Sequence, residues 1–541
     1  MGQPFVKNGK TIISGIDPVR RAENTVDGIS VRNRTLFFCP SPVYGYGLTK
    51  LLSRIDKEAP DSAVLCVEAD TELYDLFQKN IVDSSLINKK NFCITNICDS
   101  EKLYNFINKT WGVRAFQRIE ILRLTGGWQL FPQVYDSLCS TLKREITNDW
   151  SNALTLAKLG RLYIRNALRN LFLVPHFPSI SDLSFGETPV LVLGAGPSLD
   201  ETLDVLQKRF NKNLNNPKKR NYKIICADTC LGALKDRGIV PDLVVILESQ
   251  HWNLRDFIGS SGWDIPAAID LSSLPLTAKK LGMGFLFFTP WSPLRIFERL
   301  KKAELLPAEF APLGSVGLTA VELARSLTKG KIICAGLDFS FTLDKYHARG
   351  TPGHRVKLFM QTRLKSILNS SSFEDSSISF VSKSGYKVHS SGIMLNYREL
   401  FEREFGHDKR LFDITGTGLP LGLNTLSYEN ALSLLSENEN KDELQNDKFN
   451  NKKSALLKEN LRLFFDSEKN RLIELKNILT GDTRADEQQL KILINECDYL
   501  WAHFPDLAGG RSPDITDLSF LKRVRTEIDP MLKLFASGEP A

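Results

Sequence analysis

No stretch of this chain approaches the roughly 18 consecutive apolar residues that a membrane-spanning helix needs, so no membrane association is expected. The opening Met1-Gly2-Gln3-Pro4-Phe5-Val6 has neither the apolar core of a secretory signal nor the hydroxyl residue of a myristoylation site, and a cytoplasmic location is expected. Histidine is scarce, 7 in 541 residues, and no cysteine pair at zinc spacing, His-Glu-x-x-His or Asp-x-Asp doublet occurs. No metal centre is therefore called, although Mg²⁺ held through water by Asp228, Glu248 and Asp338 is left open. The 9 cysteines are scattered, and Cys66, Cys226 and Cys334 lie inside runs that read as buried strands, where a thiol serves as a small apolar side chain. Disulfides are not expected. Excess charge is also small, a formal +7 carried by short patches such as Lys218-Lys219-Arg220 and Lys452-Lys453. Such patches are read as solvated surface rather than a nucleic-acid footprint, and a mildly positive chain equally suits an anionic small ligand.

What remains is ordinary globular material, 42% hydrophobic and 25% charged, long enough for two to four domains. Residues 1–145 read as an amino-terminal Rossmann-like α/β domain. The runs Thr35-Leu36-Phe37-Phe38-Cys39 and Ala63-Val64-Leu65-Cys66-Val67 are each followed by a helical pattern, and Tyr44-Gly45-Tyr46-Gly47 is a turn between them. Glu68 closes the second strand where a Rossmann unit places a ribose-binding acid, but the glycine spacing departs from the full fingerprint and an acid there also caps helices. Residues 146–180 read as a helical connector, with Trp150, Leu154, Leu159, Tyr163, Leu168 and Leu171 at near-helical spacing, stopped by Pro175 and Pro178.

Residues 181–435 read as a central domain built on a doubly wound parallel sheet. Its apolar runs are Pro189–Leu193, Lys223–Ala227, Leu243–Leu247, Phe285–Phe288 and Lys331–Ala335, each separated by helical pattern, as in sheets covered on both faces. Residues 436–453 are rich in Glu, Asn, Asp and Lys and read as a linker. Residues 454–541 read as a helical domain, in which Leu457, Leu461, Phe464, Leu472, Leu475 and Leu479 form one stripe for helix packing, within the chain or with a second copy in a homo-oligomer.

The chemistry concentrates in the central domain. Gly194-Ala195-Gly196-Pro197-Ser198-Leu199 follows a strand and precedes a helix. At the carboxyl edge of a parallel sheet such a turn lets backbone approach a phosphate, the helix end adds amide donors, and Ser198 can donate its hydroxyl. The next strands end in Asp228-Thr229 and Glu248, placing both acids on the same edge as groups for a ribose, base or sugar hydroxyl, or as helix caps. A second glycine-hydroxyl turn, Gly314-Ser315-Val316-Gly317-Leu318-Thr319, opens a further helix, and the last of these strands runs into Gly336-Leu337-Asp338-Phe339. Together these describe a nucleotide pocket better than a protein-binding surface.

These motifs resemble those of the motility accessory factors, bacterial flagellin glycosyltransferases that share a domain with archaeal 6-hydroxymethylpterin diphosphokinases. The resemblance rests on Gly194 to Asp200, Asp228-Thr229 with Gly238-Ile239-Val240-Pro241-Asp242, Gly314-Ser315-Val316 with Thr319-Ala320, and Gly336-Leu337-Asp338; Asn166 and Asn170 in the connector also look like the family. The same motifs are more distantly similar to bacterial sialyltransferases, with Leu337 in place of the usual isoleucine. That similarity implies a CMP-activated donor whose phosphate and ribose meet Gly196, Pro197 and Ser198, a second nucleotide contact at Asp228, and Ser315 and Gly336 near base or sugar.

The family resemblance implies transfer of a nonulosonic acid of pseudaminic or legionaminic type to Ser or Thr of flagellin. Such transfer needs a base for the acceptor hydroxyl and a group to assist the leaving phosphate. His347 and His389 are expected in loops beyond the last sheet strand, and the sialyltransferase pattern favours His389 as base. Asp338 is a further candidate for base or acceptor positioning, and Tyr346 for assisting the leaving group. Two alternatives stand beside this: an ATP- and Mg²⁺-dependent diphosphokinase, and a non-catalytic flagellin-binding assembly factor.

Overall fold

The computed structural model describes residues 4–81, 86, 88–210, 213–258, 263–278, 283–364, 366–369, 378–436, 451–483, 486–507 and 513–536. The chain divides into two compact units, residues 1–161 with 501–520, and residues 162–500 with 521–541. The linker read over 436–453 falls largely on residues 437–450, outside the described residues.

The first unit opens with an antiparallel hairpin of β1 (Phe5–Lys7) and β2 (Lys10–Ile13). Its sheet is β3 (Thr35–Pro40), β4 (Ala63–Val67), β5 (Phe92–Thr95) and β6 (Arg118–Ile121), parallel and ordered β5-β4-β3-β6. Alternate side chains of β3 divide between two apolar layers. Phe37 and Cys39 pack with Leu48, Leu51, Leu52 and Ile55, while Leu36 and Phe38 pack with Leu103, Ile107, Leu138 and Leu142. Continuous apolar runs arise because both faces are covered. Glu68 is spent inside this unit: it is 1% exposed and accepts the Ser41 hydroxyl at 2.7 Å and the Tyr135 hydroxyl at 3.3 Å.

The second unit carries eight parallel strands: β7 (Val190–Leu193), β8 (Lys223–Ala227), β9 (Leu243–Ile246), β10 (Ala267–Asp270), β11 (Gly284–Phe287), β12 (Ile332–Ala335), β15 (Leu411–Ile414) and β16 (Asn424–Leu426). The intervening β13 (Ile378–Val381) and β14 (Lys387–Ser390) form a separate antiparallel ribbon. The order β11-β10-β9-β8-β7-β12-β15-β16 makes this a doubly wound α/β fold. Every residue of β7 through β12 is buried, and helix Val316–Leu327 covers one face through Leu318, Val321 and Leu323.

Two sequence expectations need correction here. The helix expected within the connector 146–180 instead runs Pro132–Asn170, starting at a proline suited to a first turn. His389 is not in a loop but in β14, where it pairs with Ser379 of β13. Helix Asn451–Thr480 buries Leu457, Leu461, Phe464, Leu472 and Leu475 of the stripe read from the sequence and leaves Leu479 half-buried. No described helix is long and apolar enough to cross a membrane.

Candidate active site

The chain leaves β7 toward β8 on one side and returns on the other side as β12, so the point where strand order reverses lies between β7 and β12. A crevice opens there at the carboxyl edge of open α/β sheets. The Gly194–Leu199 turn and the Gly336-Leu337-Asp338 strand end singled out in the sequence meet at this point and interlock. The Gly194 amide donates to the Ala335 carbonyl at 2.8 Å, and the Gly196 amide to the Gly336 carbonyl at 2.8 Å. A Cβ on Gly194 would stand 2.5 Å from the Gly336 carbonyl oxygen, and one on Gly336, whose φ is +68°, would be driven into the Gly194 carbonyl. The glycines are thus required by the close approach of two turns. Their amides at 194 and 196 are committed to that contact, which narrows the expectation that turn backbone cradles a phosphate.

Ser198 and Asp338 bridge the same two turns. The Ser198 amide donates to Asp338 Oδ2 at 2.7 Å and its hydroxyl to Oδ1 at 2.5 Å. Asp338 is 2% exposed; burial pushes its carboxyl up, and the Ser198 donors pull it back. Pro197 is buried beside them, and Leu199 begins the helix Leu199–Phe210 with a fully buried side chain.

The segment after β12 folds back onto the glycine turn. The Ala348 amide donates to the Ala195 carbonyl at 3.0 Å; Asp200, on the first turn of the helix, accepts Lys345 Nζ at 3.0 Å and the Arg349 amide at 3.0 Å. Asp200 therefore anchors the loop that carries Tyr346 and His347. Phe341 links the other candidate: its ring stacks on Tyr346 at 4.8 Å and on His389 at 6.0 Å, and Tyr346 meets His347 at 5.0 Å. Tyr346, His347 and His389, scattered over 44 positions of sequence, thus form one aromatic cluster organised by Phe341. Burial, with the nearby charges of Lys357 and His354, pushes His347 down to about 4, so it is neutral at pH 7. Lys357 Nζ lies 4.9 Å from the Tyr346 ring centroid, a cation held beside the cluster.

One and two strands from β7, a second group collects at the ends of β8 and β9. Asp228 is 2% exposed, accepting the Asn253 amide at 2.6 Å and the Thr229 amide at 2.8 Å, and Asn253 also reaches Asp256 at 3.1 Å. Burial raises both carboxyls; the Asp228 charge adds to the rise at Asp256, and the Glu248 charge to that at Asp228. Glu248 is half-buried, with Oε1 accepting the Gln250 amide at 2.9 Å. Among the described residues no three His, Cys, Asp or Glu form a group able to hold a metal ion.

Ser315 precedes helix Val316–Leu327 without capping it through its side chain, while the Thr319 hydroxyl bonds back to the Ser315 carbonyl at 3.0 Å. Thr319 is 1% exposed and serves its own helix, and Thr229 leans on Asp228. Asn166 and Asn170 are also buried, Asn166 donating to the carbonyls of Ser249 and Ser272, and Asn170 to those of Leu271 and Ser273. The sequence reading missed Asp256, Asn253, Phe341 and the buried pair Lys383–Asp413, 2.7 Å apart, in which Lys383 follows β13 and Asp413 lies within β15.

Residues 165–344, which span the asparagine clamp, the glycine turn and Asp338, match the family model described as 6-hydroxymethylpterin diphosphokinase MptE-like. The chain has a Maf-like fold with an MptE-like domain. The fold similarity is to the structure of the MAf glycosyltransferase from Magnetospirillum magneticum AMB-1, with TM-score 0.51 and 15% identity, covering 99% of this chain and 84% of that one. An uncharacterized protein of Treponema pallidum (strain Nichols) is 28% identical over 535 residues, 95% of this chain and 90% of that protein. A second from the same organism is 29% identical over 96 residues, 17% of this chain and 40% of that protein. The MptE-like domain thus holds every donor-side residue named from the sequence, while His347 and His389 follow it in the chain.

Proposed function

We propose that this chain is a glycosyltransferase that moves a nonulosonic acid from a CMP-activated donor to serine or threonine hydroxyls of flagellin. The observation that carries the reading is the junction at the strand-order reversal: the Gly194–Ser198 turn bolted to Asp338, with Tyr346, His347 and His389 gathered beside it. The fold likeness, which extends over 99% of the chain rather than the MptE-like domain alone, supports the transferase over the diphosphokinase.

In this reading the acceptor oxygen attacks the anomeric carbon of the sugar from the face opposite the phosphate. The bond from that carbon to the phosphate oxygen breaks, CMP leaves with the electron pair, and the acceptor proton passes to the His389 imidazole. Tyr346 donates a hydrogen bond to the departing phosphate, beside the charges of Lys345 and Lys357. Ser198 and Asp338 hold the two turns at the spacing that defines the crevice.

The test is the intact mass of flagellin co-expressed with this chain and a CMP-nonulosonic acid pathway, against the Ser198→Ala, Asp338→Ala variant. A mass increment equal to the sugar, lost in the variant, is the expected result. Unmodified flagellin with both proteins overturns the proposal and directs assays to ATP-dependent diphosphate transfer.

A further inference from the structure

The carboxyl edge of the large sheet holds a second concavity that the interlocked turns do not use. It encloses about 210 Å³ beyond the ends of β9, β10 and β11, against the first turn of helix Val316–Leu327. Leu247, Leu313 and the paired rings of Tyr163 and Trp291, 5.4 Å apart, give it apolar walls; Glu248 and Ser249 bring polar groups into it.

Two of its donors stand out by having nothing to do. Ser249 is 2% exposed, and neither its hydroxyl nor Trp291 Nε1 has a hydrogen-bond partner among the described residues. The neighbouring hydroxyls of Ser272 and Thr289 both serve Asp270, so satisfied groups lie alongside. A buried donor left unpaired is costly, and such groups in a cavity wall point to an acceptor that arrives from outside. Tyr163 is pushed up to about 12 by burial first and the Glu248 charge second, so it keeps its proton and presents a third donor. Glu248 has one carboxylate oxygen engaged by the Gln250 amide, leaving the other to accept.

We propose that this cavity receives an acylamido substituent of the sugar being transferred. The acyl oxygen accepts from Ser249 Oγ and Trp291 Nε1, the amide N–H donates to Glu248, and the methyl group packs on Leu247, Leu313 and the Trp291 ring. This assignment rests on the transferase reading. Its size fits, because whole-ligand sites run from about 300 Å³ upward, and this one takes a substituent-bearing part of a ligand. Its position fits too: β9 and β10 lie two and three strands from β7, roughly 10–15 Å at the usual strand spacing, as far as a sugar reaches from its phosphate.

The test is calorimetric titration of the full chain with three probes: CMP-N-acetylneuraminate, CMP-deaminoneuraminate, which has a hydroxyl where the first has acetamido, and CMP alone. The parent protein is expected to prefer the acetamido compound by about tenfold. Ser249→Ala and Trp291→Phe should each cut that preference about fivefold while leaving CMP affinity unchanged. Equal affinity for the two sugars in the parent, or a preference untouched by both variants, overturns the assignment while the transferase reading stands. Failure of CMP to bind at all removes the transferase reading and this assignment with it.

Discussion

Gly336 and Gly238 both adopt left-handed backbone, φ +68° and +65°, yet differ in surroundings, and the difference isolates the interlock from local backbone strain. Around Gly238 nothing lies within 4 Å of an added Cβ, so Gly238→Ala bears only the cost of a left-handed alanine, about 1–2 kcal/mol. At Gly336 the same cost applies, and the new methyl also overlaps the Gly194 carbonyl. Overpacking of that kind adds about 1–3 kcal/mol. Separating the turns further loosens the bond from the Gly196 amide to the Gly336 carbonyl and that from the Gly194 amide to Ala335, each worth about 1 kcal/mol. Gly336→Ala should therefore cost about 4–7 kcal/mol, a thermal midpoint lowered by roughly 10 °C or more, against a few degrees for Gly238→Ala. CMP titration should show binding lost at position 336 and retained at 238. Equal midpoint shifts and equal CMP affinity in the two variants would refute the claim that turn-on-turn contact is what demands glycine at 336.

Removing the Lys383 amine in Lys383→Ala leaves Asp413 buried without its cation, which should destabilise by about 3–5 kcal/mol in thermal or urea unfolding, with recovery when Asp413→Asn is added; an unaffected single variant would count against a structural ion pair. His347 has a folded-state pKa of about 4, below its unfolded 6.5, so its contribution to stability is intact above pH 6.5 and is lost as pH falls toward 4. In ¹⁵N-histidine spectra its ring, assigned by the signal missing in His347→Gln, should remain neutral at pH 5.5, and a midpoint above 6 contradicts the burial argument. Ser198→Ala removes a donor that holds the Asp338 carboxyl down, so modification of flagellin should fall at least tenfold, by intact mass over time, with the fold unchanged by circular dichroism. His389→Gln should abolish that modification while CMP affinity stays within about twofold, since the ring belongs to the acceptor side of the proposed reaction.

The continuous apolar runs placed β3, β4, β7, β8, β9, β11 and β12, because strands covered on both faces need no polar alternation. β10 escaped since Ala267 and Ala268 add little hydrophobic signal, and β15 and β16 escaped because Asp413, Asn424 and Thr425 interrupt theirs. Placement on the sheet edge was legible where residues follow a strand end directly, as at Gly194, Asp228, Glu248 and Gly336. The candidate site was illegible where it depends on which loops meet. Nothing in the local pattern ties Asp256 to Asp228, or tells that Phe341 stacks on both Tyr346 and His389. Trp291 offered a signal that went unused, because Thr289-Pro290-Trp291 follows the end of β11 on the same edge as the acids.

The two asparagines near the end of helix Pro132–Asn170 satisfy four carbonyls that terminate the strand-to-loop passages after β9 and β10. Residues 165–344 match the family model from just ahead of the first of these asparagines. The natural seam for moving this module between proteins therefore runs through the middle of a helix rather than through a loop. Any graft must bring those last helical turns along, and a recombination breakpoint placed at the more inviting Pro175 or Pro178 would deliver a sheet whose binding edge arrives with four unanswered carbonyl groups.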